Sequence, residues 1–315
     1  SHQTFHNVRK IFKNVDDYGE VSIYFDDDEK LVEIAARTIK PDGTISEIKP
    51  EEFYTILPDY ASGATITGSK LVKFSFPNIS KNCILEYKYK KIVHTIFSGD
   101  FWQIQNYEMP TLKNQYLLMV PKILSSNRVY GGLELNWNAK PYNYNFDAKP
   151  VPVMTAGDKT YTEWVITDIP EFKQEAKMPP IRSCISHVRF MRNDIKDWNE
   201  LSEIYSSYFF PQLIISEKVK ALSEELTKGK TSEMEKLISI HNYVRKIRYL
   251  AINLGVGGYR PHTPDEIIDK SYGDCKDKSI LLIALLSAAN IKAEPVLVLT
   301  RDGGDVDPKF PSPTF

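Results

Sequence analysis

The octapeptide "YGDCKDKS" (272–279) runs without a break into the apolar stretch "ILLIALLSAANIKAEPVLVLT". A cysteine at that junction, Cys275, opens a helix predicted over 276–289. Helix N-termini carry unpaired N–H groups and the positive end of the macrodipole, and both favour the thiolate, the nucleophilic form of cysteine. Gly273 permits a tight turn and the close approach of a substrate backbone. The amide of Cys275 is placed to donate to an oxyanion, and losing such a donor from a working site costs roughly 3–4 kcal/mol. Lys276 and Lys278 add positive potential. The same residues also fit a well-packed core cysteine, so periodicity by itself leaves both readings open.

The elements that must position Cys275 follow from patterning. The first two hundred residues read as β. "EVSIYF" (20–25), "LVEIAARTIK" (31–40) and "TISEI" (44–48) are β-prone runs, with "KPDGT" (40–44) a turn built from Pro41, Asp42 and Gly43. "CILEYKYKKIV" (83–93) alternates, with Cys83, Leu85, Tyr87 and Tyr89 on one face and Glu86, Lys88 and Lys90 on the other. That is the signature of a half-buried antiparallel strand. "QYLLMV" (115–120) and "TYTEWVITDI" (160–169) continue the pattern. The 18 Tyr and 15 Phe, concentrated here, fit a β-sandwich core. "DDDE" (26–29) reads as a solvated turn. From about 197 the period becomes helical. Asp197 with Glu200, and Ser232 with Glu235, have capping-box spacing, Ser216 is an N-cap and Gly229 a stop. Leu237, Ile240, Val244 and Ile247 line one face of the helix 232–247, and His241 reads as a hydrogen-bonded structural histidine. "AEPVLVLT" (293–300) is predicted to be a buried strand.

Composition narrows the function classes. The chain has 315 residues, 42% hydrophobic and 26% charged, which fits a folded protein of two domains or one large one. With 40 basic and 41 acidic side chains the net charge is -1, so nothing favours nucleic acid or an anionic membrane surface. The apolar run 280–289 is about half of what a bilayer span requires. The opening "SHQTFHNVRK" has neither an initiator Met nor a signal core and reads as a processed or engineered start. Three distant cysteines make neither a disulfide framework nor a zinc site, and Cys83 and Cys184 are predicted to be inert core residues in β-like surroundings. Scattered carboxylates such as Asp302, Asp305 and Asp307 lack metal-ligand spacing, so neither metal nor cofactor is expected.

"IRYLAINLGVGGYRPHTPDEIIDKSYGDCKDKSILLIALLSAANIKAEPVL" (247–297) resembles the first half of a transglutaminase-like domain, a branch of the papain-like cysteine protease superfamily. The β-rich region, notably "ARTIKPDGTISEI" (36–48), resembles a domain of unknown function that precedes such domains in bacteria. The fold implied is α+β and multidomain: a β-sandwich-like domain over 1–195, a helical connector over 196–212 and the N-terminal part of a transglutaminase-like domain over 213–315. By this resemblance Cys275 corresponds to the nucleophile of acyl transfer through a thioester, either amide hydrolysis or transamidation. The family's second oxyanion group falls in the zone 249–253, where Tyr249 and Asn253 are both candidates, with Asp274 as a supporting residue. His262 precedes Cys275 and reads as loop-ordering. No histidine follows Cys275, and the family takes its base from a later strand, so the second half of the domain is expected to lie outside this sequence. The implied partner is a protein or peptide substrate, including a cell-envelope peptide, and the implied location is periplasm or envelope, with cytoplasm as the other option. The competing reading is a non-catalytic peptide- or glycan-binding envelope protein.

Overall fold

The structure, a computed structural model, describes residues 2–12, 18–25, 29–56, 65–67, 70–93, 100–107, 109–121, 129–130, 133–134, 142–143, 150–156, 159–190, 195, 197–253, 259–309 and 311. The "DDDE" turn therefore lies almost wholly outside the described residues. The chain divides into two compact units, 1–96 with 207–295 and 97–206 with 296–315.

In the first unit the strands are β1 (His2–Lys10), β2 (Glu20–Phe25), β3 (Glu29–Ile39), β4 (Ile45–Glu47), β5 (Tyr54–Ile56), β6 (Thr65–Thr67), β7 (Lys70–Ser75) and β8 (Ile84–Val93). One antiparallel sheet has the order β1-β8-β3-β4 and another the order β2-β7-β5. Alternation decides their faces. Leu85 and Tyr87 of β8 point inward with Val21, Ile23, Phe74 and Phe76 of the other sheet, and the two sheets share one core that includes Cys83. On the outward face Glu86 takes Arg37 of β3 and His6 of β1, as cross-strand neighbours should. The expected turn closes β3 onto β4. Lys40 N–H donates to Thr44 O at 2.8 Å, Asp42 Oδ1 accepts from Thr44 N–H at 2.9 Å, and Gly43 sits at φ +85°.

The second unit holds β9 (Asp100–Gln103), β10 (Thr111–Pro121), β11 (Val129–Tyr130), β12 (Leu133–Glu134), β13 (Tyr142–Asn143), β14 (Pro150–Ala156), β15 (Lys159–Ile169), α1 (Ile181–Cys184) and β16 (His187–Phe190). Its sheets are antiparallel, ordered β10-β15-β14 and β13-β16-β9, with the hairpin β11-β12. Trp102, Ile104, Trp164, Ile169 and Val188 form the core. Asn114 ties β10 to β9, accepting from Trp102 Nε1 at 2.9 Å and donating to Gln103 O and Ile104 O. Two sequence expectations fail in this unit. Residues 293–300, which straddle the boundary, form no strand; Val296 and Val298 are 79% and 76% exposed. A strand needs a neighbour for its N–H and C=O groups, and none of the described residues pairs with this segment. Cys184 lies on the short helix α1, partly exposed, not in a β core.

The helices follow the capping signals. α2 (Trp198–Phe209) begins after Asp197, whose Oδ1 accepts from Glu200 N–H at 2.9 Å. α3 (Glu217–Thr227) starts at the Ser216 cap, and α4 (Glu233–Lys246) at the reciprocal Ser232–Glu235 box. β17 (Arg248–Tyr249), β18 (Ala251–Asn253), α5 (Pro264–Lys270), β19 (Tyr272–Gly273) and α6 (Cys275–Ala288) complete the first unit. α6 is apolar nearly all round and is enclosed on most sides: Ile280, Leu281, Ala284 and Leu285 pack against Val219, Ile240, Val244 and Ile267. His241 is exposed on α4, because it lies beside the buried stripe and not on it, so the expected structural role is not seen. Among the described residues no helix is long and apolar enough to cross a membrane.

Four hydrogen bonds from Thr231 and Ser232 hold the Glu235 carboxyl at a pKa of about 2, with the Ser232 amide the largest contributor. A depressed carboxylate contributes stability above its unfolded pKa and loses it as pH falls through the folded value. The carboxylate's share of this box should therefore be complete at neutral pH and be lost as pH falls from about 4.5 towards 2, while the bond from Glu235 N–H to Ser232 Oγ persists. Ser232→Ala should cost about 1 kcal/mol in urea unfolding at pH 7.

Candidate active site at the N-terminus of α6

Cys275 is the first residue of α6 and is exposed, whereas Cys83 is fully buried. At this helix start the amides of Cys275, Lys276 and Asp277 have no intrahelical acceptor; the first helical bond runs from Lys278 N–H to Asp274 O at 2.9 Å. Asp274 is the N-cap, and its Oδ1 accepts from Lys276 N–H at 3.0 Å and Asp277 N–H at 3.2 Å. Its other oxygen, Oδ2, takes the Lys276 ammonium. Both oxygens accept, so Asp274 supports the helix start and is not itself an oxyanion donor. Lys276 is neutralised by that contact, which leaves Lys278 as the free charge of the two predicted lysines. Lys278 Nζ donates to Ile247 O at 3.0 Å and Arg245 O at 3.3 Å, fastening α6 to the end of α4.

Asp277 closes the capping box and does more. Its Oδ2 accepts from Asp274 N–H at 3.2 Å, its Oδ1 accepts from His262 N–H at 2.8 Å, and the His262 ring Nδ1 lies 3.2 Å from both oxygens. Asp274 and Asp277 are each 3% exposed. His262 thus orders the segment before α5, and no described contact carries its ring to Cys275. A Cβ on Gly273 would lie 2.6 Å from Asp277 Cβ. The glycine is needed for this close passage; its φ is not in the left-handed region, so the expected tight-turn role is replaced by a packing one.

Tyr249 arrives by a two-residue parallel ladder. Arg248 pairs with Tyr272 and Tyr249 with Gly273, and Leu250 N–H donates to Gly273 O at 3.2 Å. This ladder sets the Tyr249 phenol beside Cys275. Partial desolvation of the phenol, which is 47% exposed, then the neighbouring Cys275 and Asp274, push its pKa above the ordinary value. Asn253 is placed only by its main chain, in β18 beside Thr67 of β6; its side chain lies outside the described residues. The geometry thus brings Tyr249, Asp274 and Cys275 together. The role of Asp277 went unread in the sequence, although its position three residues after Asp274 was the available signal.

Asp277→Ala should leave three N–H groups around the buried pocket without their acceptor, at roughly 1–3 kcal/mol for each unmet group. Hydrogen exchange should quicken at the amides of His262 and Asp274, with the β1–β8 amides unchanged.

Comparisons with known proteins agree with this architecture. Residues 1–173 match the model of a domain of unknown function with solved structure, DUF3857, and residues 220–309 match that of the transglutaminase-like superfamily. A crystal structure described as a "putative protease" from Parabacteroides distasonis ATCC 8503 superposes with a TM-score of 0.66 at 18% identity. The match covers 92% of this chain and 56% of that protein, so the chain spans little more than half of its neighbour's length. A comparison with curated proteins found no match. With an α+β multidomain fold of antiparallel sheets followed by a helical region, the chain belongs to the DUF3857 family and continues into a transglutaminase-like domain.

Proposed function

We propose that Cys275 is the nucleophile of an acyl transfer on amide bonds, in a protein longer than residues 1–315. The observation that carries this reading is the division of donors at the α6 N-terminus. Asp274 occupies the Lys276 and Asp277 amides, and the Cys275 amide is left without an intrahelical acceptor, with an exposed thiol and the Tyr249 phenol beside it. In this reading the thiolate attacks the amide carbonyl carbon, and the developing oxyanion takes the Cys275 N–H and the Tyr249 O–H. The C–N bond breaks as the nitrogen gains a proton from the conjugate acid of the base and leaves as an amine. Water then cleaves the thioester to a carboxylic acid, or a second amine converts it to a new amide, and the thiol is restored. The base and its orienting carboxylate come from chain outside 1–315, for which the neighbour's greater length leaves room. A peptide substrate fits the "putative protease" likeness.

The test combines labelling and activity. Cys275 should take up iodoacetamide faster than partly exposed Cys184 and much faster than buried Cys83. In the whole protein Cys275→Ala should abolish amidase or transamidase turnover while the unfolding midpoint stays within about 0.5 kcal/mol of the parent, as for a surface substitution. Tyr249→Phe should lower kcat about a hundredfold with little change in KM. Asn253→Ala, tested in parallel, decides between the two oxyanion candidates. Full turnover by Cys275→Ala would replace this reading with the non-catalytic binding one.

A further inference from the structure

Four cations gather where α4 ends and α6 begins, and none has a carboxylate partner among the described residues. Arg245 and Lys246 close the last turn of α4, and both are exposed. Arg248, also exposed, immediately precedes Tyr249. Lys278 stands one helical turn beyond Cys275 on the same face of α6 and bonds only carbonyls, those of Arg245 and Ile247. The acids of the site do not offset them. Asp274 is neutralised by Lys276, and Asp277 is buried against His262. Arg245 and Lys246 also complement the negative end of the α4 dipole, but that function needs neither Arg248 nor Lys278. In a chain whose net charge is -1 the local excess of positive charge is a feature of this place and not of the composition.

We infer that this basic rim selects anionic acyl substrates, namely peptides carrying a carboxylate close to the amide that Cys275 attacks. The inference rests on Cys275 being the nucleophile, and it adds the substrate class. A fixed positive rim beside a nucleophile raises the local concentration of anions, and salt screens the effect. A unit charge about 10 Å away in water changes that concentration about twofold at low salt.

Two alkylating reagents of nearly equal size, neutral iodoacetamide and anionic iodoacetate, separate this inference from its premise. At low salt the purified protein should alkylate at Cys275 with iodoacetate about five- to tenfold faster than it does in 0.5 M salt, while the iodoacetamide rate stays level. The triple variant Arg245→Gln, Lys246→Gln, Arg248→Gln should lose most of that salt dependence and keep the iodoacetamide rate, which also shows that it is folded. A hexaglutamate peptide should slow alkylation by iodoacetamide, and hexalysine should not. An iodoacetate rate that is indifferent to salt and to the triple substitution overturns the anionic class and leaves the nucleophile standing. Failure of Cys275 to react with either reagent overturns both.

Discussion

Two buried carboxylates, Asp274 and Asp277, at the start of one helix are the constraint from which the candidate site follows. Burying a carboxylate is tolerable only when its oxygens are fully engaged, and here they are. Asp274 takes two main-chain amides and an ammonium, while Asp277 takes two amides and an imidazole. Each contact fixes something else: the helix start, the Lys276 side chain, or the segment carrying His262. The glycine at 273 follows from the same packing, because Asp277 passes where a Cβ would be. The one first-turn amide that neither carboxylate takes belongs to Cys275, and the Tyr249 phenol lies beside it.

Rigidity around that amide comes from the core. α6 has no polar face to turn to water, so α3, α4 and α5 enclose it, with Leu281 and Leu285 wholly buried. Lys278 adds a polar tie to the carbonyls at the end of α4, and the β17–β19 ladder locks Tyr249 to the residues just before the cysteine. A cysteine held by a packed helix and a phenol held by backbone bonds cannot drift independently. Such pre-organisation makes a donor effective towards developing charge. The two sheets of the first unit, packed face to face over a core of Phe74, Phe76, Leu85 and Tyr87, are built by simple alternation and make no described contribution to the chemistry.

Electrostatically the site is layered. Its innermost charges are engaged locally, Asp274 by Lys276 and Asp277 by two amides and the His262 ring. Outside them lie cations with no acidic partner among the described residues. These local contacts keep the helix start stable, and the outer cations are the side of the site that faces solvent.

What the residues alone determined was local. Strand alternation in 83–93, the "KPDGT" turn, the caps at Ser216 and Ser232 and the placement of Cys275 at a helix start are all short-range consequences of residue type, and they were legible. The resemblance of 247–297 to a transglutaminase-like domain was legible too, because it lies in a contiguous motif. What only the tertiary structure decided was partnership between residues distant in sequence. The segment 293–300 has every strand preference yet forms none, because pairing depends on a neighbour that composition does not reveal. His241 and Cys184 were misjudged because a one-residue offset from a buried stripe, or a single helical turn, reverses exposure. Lys276 was read as free charge and proved to be bound, and His262 and Asp277, fifteen residues apart, meet only after the chain has folded. Periodicity fixes which face a side chain takes; the other side of the contact is set by the rest of the fold.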